Sequence, residues 1–362
     1  MLTYAQYAHL TVYQEHPLNA GTPFEILRRA FLTPNDAFFI RSHGTLPVVE
    51  RESYCLTVTG MVQRPLELSL AALLAHFEQR TLTATLVCAG SRRDELAAIH
   101  PLPGAVPWSA DPISTARWRG VRLRDVLQAA GIGAEARYVA FRGLDEAREE
   151  GQTIPFGSSI SLEKALSPEV LLTYEINDAP LTREHGFPLR VLIPGYVGAR
   201  SVKWLQEITL QSQPSDNYFQ DRDYKLFPPA ITAETANWSQ GQTLEAIALN
   251  SAICSPLAGE TCRTGPINVR GYAITGQPAP IERVELSTDG GASWTPATIT
   301  DRTDRWAWCL WQTTLHLPAG DHQLTVRAHD SAGHTQPKHA QPLWNFKGYA
   351  NNAWHSVHFR VV

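Results

Sequence analysis

The chain has 362 residues, 43% hydrophobic and 18% charged, with a formal net charge of −4. That length accommodates two domains with substantial cores, and the composition is that of an ordinary globular chain. The acidic balance argues against a nucleic-acid partner, and no apolar run approaches the roughly 20 residues a membrane helix needs. Met1 to Pro17 has neither a basic start nor an apolar core, so no signal peptide is read there. A cytoplasmic location is expected, a periplasmic one only if a leader has been removed.

In chain order, residues 1–37 read as a loop-rich segment broken by Pro17, Gly21, Pro23 and Pro34. Tyr54 to Thr59 alternates as a strand ending at Gly60, and Ser69 is placed to cap a helix from Leu70 to Phe77. Thr81 to Val87 is rich in β-branched residues and predicts a strand that delivers Cys88 at its end. Val121 to Ala130 predicts an amphipathic helix stopped by Gly131. Val139 to Phe141 and Leu189 to Ile193 predict short buried strands. Helices mixed with strands make residues 38–245 an α+β domain.

From about Ala252 the helical signals vanish. Ile267 to Ile274, Ile281 to Ser287, Trp306 to Leu317, Gln323 to Ala328 and His358 to Val362 predict strands, with Asp289-Gly290-Gly291 as a hairpin turn. Residues 246–362 are therefore expected to form an all-β, immunoglobulin-like sandwich. The five cysteines are too few and too irregular for a disulfide scaffold. Cys254 and Cys262 are spaced to meet across a hairpin, although reduced thiols are the expectation in a cytoplasm. No Cys-x-x-Cys-His haem attachment is present.

The most informative stretch is Cys88-Ala89-Gly90-Ser91-Arg92-Arg93. A cysteinate suits a soft or high-valent metal, and guanidinium groups suit an oxyanion held in fixed orientation. Their charges also favour a thiolate at Cys88. A lone cysteine is more often plain core, so its company decides. That company is Phe39-Ile40-Arg41-Ser42-His43 upstream and, downstream, His185-Gly186-Phe187-Pro188-Leu189-Arg190. Pro194 to Trp204, Asp223-Tyr224-Lys225, Trp344-Asn345-Phe346-Lys347-Gly348 and Asn352-Ala353-Trp354-His355 complete it.

This ordered series resembles the sulfite oxidase family of molybdopterin enzymes, from about Phe38 to the C-terminus. The resemblance implies a molybdopterin-binding domain followed by a homodimerising sandwich, molybdenum-molybdopterin as cofactor, and sulfite as substrate. Cys88 matches the molybdenum ligand. Arg41, Arg93 and Lys347 match the groups around the anion, Trp108 an aromatic wall of the pocket, and Tyr224 the tyrosine at the equatorial oxygen site. Arg92 matches either a surface or a domain-interface position. Phe39, His43, Asp145, His185, Arg190, Ser201 and Lys203 match contacts to the pterin and its phosphate. Arg, Lys and the backbone of a loop bearing Gly195 and Gly198 are natural phosphate partners.

Two departures stand out: Ser91 where the family has Asn, and Lys347 where it has Arg. Lysine keeps the charge and gives up the bidentate fork. The expectation is molybdenum-dependent oxidation of sulfite to sulfate without a haem in this chain, electrons passing to a cytochrome, another redox protein or dioxygen. A nitrate or S-oxide reductase on the same scaffold is the alternative, which Tyr224 and the C-terminal sandwich disfavour.

Overall fold

The computed structural model of the protein describes residues 4–362. Its first part is built on two five-stranded sheets. In one, Ala179–Pro180, Leu171–Ile176, Ile113–Arg122 and Gln79–Val87 are neighbours in that order, and Arg190–Leu192 also pairs with Leu171–Ile176. The other runs Leu66–Ser69, Cys55–Gly60, Leu205–Gln211, Tyr138–Glu149, Gln152–Ser161, with Leu205–Gln211 parallel to Cys55–Gly60. The α+β reading holds, with few and short helices.

Local chemistry explains most boundaries. Gln79–Val87 stays in unbroken register with Ile113–Arg122, from Gln79 opposite Val121 to Val87 opposite Ile113. Cys88 therefore sits one residue beyond a fully paired strand. The helix Leu70–His76 is capped as expected: Ser69 Oγ accepts the Ala72 N–H at 3.1 Å. The second helix expected from the sequence is Leu123–Ala130, and Gly131 at φ +73 stops it. It starts later than the pattern predicts, because Val121 and Arg122 belong to the preceding strand, where Val121 pairs with both Gln79 and Leu172.

The strand expected over Val139 to Phe141 is much longer, Tyr138–Glu149. Its register against Gln152–Ser161 shifts between Arg142 and Glu146, leaving Gly143 to Asp145 outside that ladder. Gly143 is required there, since a Cβ would lie 2.5 Å from Asp145 Oδ1 and 2.7 Å from the Lys203 carbonyl oxygen. This irregularity frees Asp145 to face the cavity described below.

Near the N-terminus, Thr11–Gln14, Asn19–Gly21 and Ile40–Arg41 form a small antiparallel sheet. It positions Arg41.

The C-terminal part is a two-sheet sandwich. Asn250–Ser255, Gly265–Ile274, Cys309–Leu317 and half of Thr295–Asp301 form one sheet. The other half of Thr295–Asp301 pairs with Ile281–Ser287 and so joins the second sheet, which continues through Gly320–Asp330 and His355–Val361 to Thr261–Cys262. Val269, Val284, Trp311, Leu324, Val326 and Phe359 fill the space between them. Cys254 and Cys262 do not face each other across a hairpin. Cys254 sits at a register shift between Ile253 and Ser255 in the first sheet, Cys262 pairs with Val361 in the second, and none of the five cysteines forms a disulfide.

The two parts share a core. Cys254, Tyr272, Ile274, Trp308 and Tyr349 pack in the same apolar cluster as Leu27, Val87 and Leu205. Trp308 donates its indole N–H to the Phe31 carbonyl at 3.1 Å, and its backbone N–H reaches Thr85 Oγ1 at 2.8 Å. Arg92 is the polar counterpart of that join. Its guanidinium is fully buried and paired with Glu95, and it donates to Asn250 Oδ1 and the Ala353 carbonyl, both at 2.7 Å.

Candidate active site

Segments far apart in sequence converge on one cavity enclosing about 620 Å³, part of it open to solvent. Cys88 is buried on its floor. Its backbone N–H donates to the Pro112 carbonyl and its own carbonyl accepts from the Ser91 N–H, at 2.9 and 3.0 Å. Gly90 lets the turn close on Arg93: a Cβ there would lie 2.5 Å from the Arg93 guanidinium carbon.

Arg41 enters from the small sheet, donating to Asn19 Oδ1 at 3.2 Å and to the Ser42 carbonyl at 2.6 Å. Tyr224 enters opposite, at the end of a π-helical turn over Phe219–Asp223. Its hydroxyl lies 2.7 Å from His43 Nε2. Burial, together with Arg41, Lys203 and Lys347, holds His43 well below the ordinary histidine range. Burial pushes the Tyr224 phenol up, against the opposing pull of Arg41. Both groups are therefore uncharged at this contact, and the imidazole tautomer sets which of them donates.

The other end of the cavity is cationic. Arg190 donates to the carbonyls of His185 and Ser201 at 3.1 and 2.9 Å, and Lys203 Nζ to those of Arg41 and Glu184 at 3.0 and 2.7 Å. Burial lowers Arg190 to about 9; burial and the repulsion of Arg190 lower Lys203 to about 7. His185 is fixed through Thr182 Oγ1 and the Phe39 carbonyl, and burial takes it to about 3. Ser201 Oγ accepts the Ile193 N–H at 3.0 Å. Asp145 is raised to about 6 by burial, with Lys203 opposing.

Two atoms of this lining, Asp145 Oδ1 and Arg190 Nε, are buried without a hydrogen-bond partner. Buried polar atoms are rarely left so. They fit a ligand with a donor edge and an anionic group, as a pterin phosphate has. The lone Cys88 thiol among apolar neighbours fits a metal that brings most of its own ligands.

Comparison with known proteins agrees. The family model for an oxidoreductase molybdopterin binding domain matches residues 43–219, and that for a Mo-co oxidoreductase dimerisation domain matches 242–362. A sulfite oxidase from Gallus gallus is 41% identical, covering 96% of this chain and 77% of that protein. A sulfite oxidase from Arabidopsis thaliana is 37% identical, covering 97% and 94% respectively. The chain belongs to the sulfite oxidase family. The fold also matches the crystal structure of the sulfane dehydrogenase SoxCD from Paracoccus pantotrophus, with a TM-score of 0.79 at 24% identity over 95% of this chain and 84% of that one.

Against the expectations for a member of this family, the cavity gathers every anticipated cofactor contact: Phe39, His43, Asp145, His185, Arg190, Ser201 and Lys203. Arg41, Cys88 and Tyr224 line it too. Three anticipated residues stand behind its wall. Trp108 is fully buried, in the apolar cluster of Cys88 and Phe39, with its ring 4.8 Å from Tyr13. Arg93 donates to the carbonyls of Gly348 and Val106 at 3.1 and 2.9 Å. Lys347 is an ion-pair partner of Asp223 Oδ1 at 2.6 Å.

Other contributors carry no sequence signal. Arg200, fully buried, donates to the carbonyls of Leu244 and Tyr224 and to Ser158 Oγ, at 2.7, 3.3 and 2.8 Å. Its neighbours in the glycine loop are legible, but nothing in Gly198-Ala199-Arg200-Ser201 says that Arg200 turns inward. Arg92, given two roles by the sequence, is a domain-interface residue.

Proposed function

We propose that this chain oxidises sulfite to sulfate at a molybdopterin-bound molybdenum ligated by Cys88, and passes two electrons to an external acceptor. The net reaction takes sulfite and water to sulfate, two protons and two electrons. The observation that carries it is the convergence of Cys88, Arg41 and Tyr224 on one cavity in a chain 41% and 37% identical to two proteins named sulfite oxidase.

Bound there, molybdopterin supplies the oxygen-atom transfer and the two-electron redox chemistry. The chain supplies position and field. Arg190 and Lys203 would hold the phosphate, whose charge offsets the burial that disfavours their cationic forms. Asp145 and His185 face the donor and acceptor edge of the pterin. Arg41 offsets the sulfite dianion directly, and Arg93 adds its charge from just behind, in surroundings where electrostatics are stronger than in water. Tyr224 donates a hydrogen bond at the reacting oxygens and accepts one from the His43 Nε2–H.

Homodimerisation through residues 242–362 belongs to the same proposal, supported by the description of the family model matched there. The acceptor is a cytochrome, another redox protein or dioxygen.

The test is a pair of assays on molybdenum-loaded protein, sulfite with ferricyanide and nitrate with reduced methyl viologen. Turnover of sulfite alone supports the proposal; turnover of nitrate alone replaces it with a reductase.

A further inference from the structure

The loop 345–350 reaches out of the second domain and ends on the site. Asn345 folds it, donating to the carbonyls of Leu343 and Tyr349 at 3.0 and 2.9 Å and accepting the Tyr349 N–H at 3.0 Å. Gly348 has φ +63, and a Cβ there would lie 2.7 Å from Arg93 Cγ. The loop thus lies directly on Arg93.

The next side chain makes three contacts. Tyr349 is buried, and its ring stacks on Tyr224 with centroids 5.3 Å apart and planes 17° apart. The Arg93 guanidinium lies 5.0 Å from the same ring's centroid. The Tyr349 hydroxyl donates at 3.3 Å to Asp223 Oδ1, the oxygen that also takes Lys347 Nζ at 2.6 Å. One phenol therefore touches the tyrosine at the reacting oxygens, an arginine of the anion site and the carboxylate next to Tyr224 in sequence.

We propose that Tyr349 is a positioning residue for the oxidation: its ring fixes Tyr224 and Arg93 relative to each other, and its hydroxyl holds Asp223. This rests on the sulfite reading above and deepens it. Ring-on-ring stacking and a cation over an aromatic face both depend on orientation. An aliphatic side chain of similar size fills the space and supplies neither. Phenylalanine keeps both ring contacts and loses only the bond to Asp223. The two substitutions therefore separate the two roles.

The experiment uses Tyr349→Phe and Tyr349→Leu holoenzymes, each with measured molybdenum content. Sulfite kinetics are paired with sulfate affinity by titration calorimetry. Tyr349→Phe is expected to leave the sulfate Kd and the sulfite KM within about twofold of wild type. Its kcat falls about threefold to fivefold, the loss of one buried hydrogen bond. Tyr349→Leu is expected to weaken sulfate binding and raise KM by about tenfold as Arg93 loses its aromatic face, with kcat below that of Tyr349→Phe.

A Leu variant that melts earlier yet binds sulfate and turns over like wild type, per molybdenum, overturns the proposal. If Tyr349→Leu loads no molybdenum, an unchanged kcat in Tyr349→Phe overturns it instead. Wild-type holoenzyme that binds sulfate but oxidises no sulfite refutes the sulfite reading alone, and the variants' sulfate affinities still decide the role of Tyr349.

Discussion

Tyr224 is held by its hydrogen bond to His43, by the stacked ring of Tyr349 and by Arg200 on its carbonyl. Tyr224→Phe keeps the packing and removes the proton, so sulfite turnover is expected to fall roughly tenfold or more with molybdenum content unchanged. Unchanged turnover removes Tyr224 from the mechanism. Lys347→Arg keeps the pair with Asp223 and adds free N–H donors, so the KM for sulfite should fall in steady-state assays; no change confines Lys347 to holding Asp223. His185 predicts a pH effect on the cofactor-free protein. Its folded pKa, about 3, lies below the ordinary 6.5. The unfolded chain binds the proton first, so the contribution to stability is present above pH 6.5 and is lost as pH falls toward 3. Asp145, raised to about 6, has the opposite sign, its contribution being lost as pH rises through 6. Thermal melts of His185→Gln should accordingly fall less than wild type between pH 6.5 and 4, and parallel curves contradict this. At this scale the sequence is readable where chemistry restricts residue type, as at Cys88 and Arg41. It is silent where long-range packing chooses the role, as at Arg200 and Tyr349, which look like any other arginine or tyrosine until the domains meet, and at Arg92 it leaves two roles open.

Elements follow local rules until tertiary pairing overrides them. Ser69 is a helix cap legible from sequence, and its bond to the Ala72 N–H confirms the mechanism. Ser69→Ala should cost about 1 kcal/mol in chemical denaturation; no loss means that solvent or a neighbour replaces the cap. Val121 has a side chain that suits the helix pattern, yet it completes two strand ladders and the helix begins later. The long strand Tyr138–Glu149 is not legible past Phe141, because Gly143 reads as a breaker. Here the glycine permits a close approach to Lys203 inside a strand that continues. The hairpin imagined for Cys254 and Cys262 fails for a related reason: thiol spacing says nothing of which sheet each strand joins.

Across the whole molecule, the site depends on the docking of two domains that share one apolar cluster. Arg92 sits at that join with every strong donor committed. Arg92→Ala leaves Glu95 and Asn250 without their buried partner and should cost about 3–5 kcal/mol. Calorimetry is expected to show the single wild-type transition broaden or split, whereas an unchanged melt assigns the join to apolar packing alone. The central claim is oxygen transfer to sulfite at the Cys88 centre, and its most direct measurement is a single turnover. Molybdenum-loaded protein is mixed anaerobically with excess sulfite and no acceptor, and sulfate is counted. About one sulfate per molybdenum, with none from Cys88→Ala, is the predicted result. No sulfate from fully loaded wild type contradicts the account.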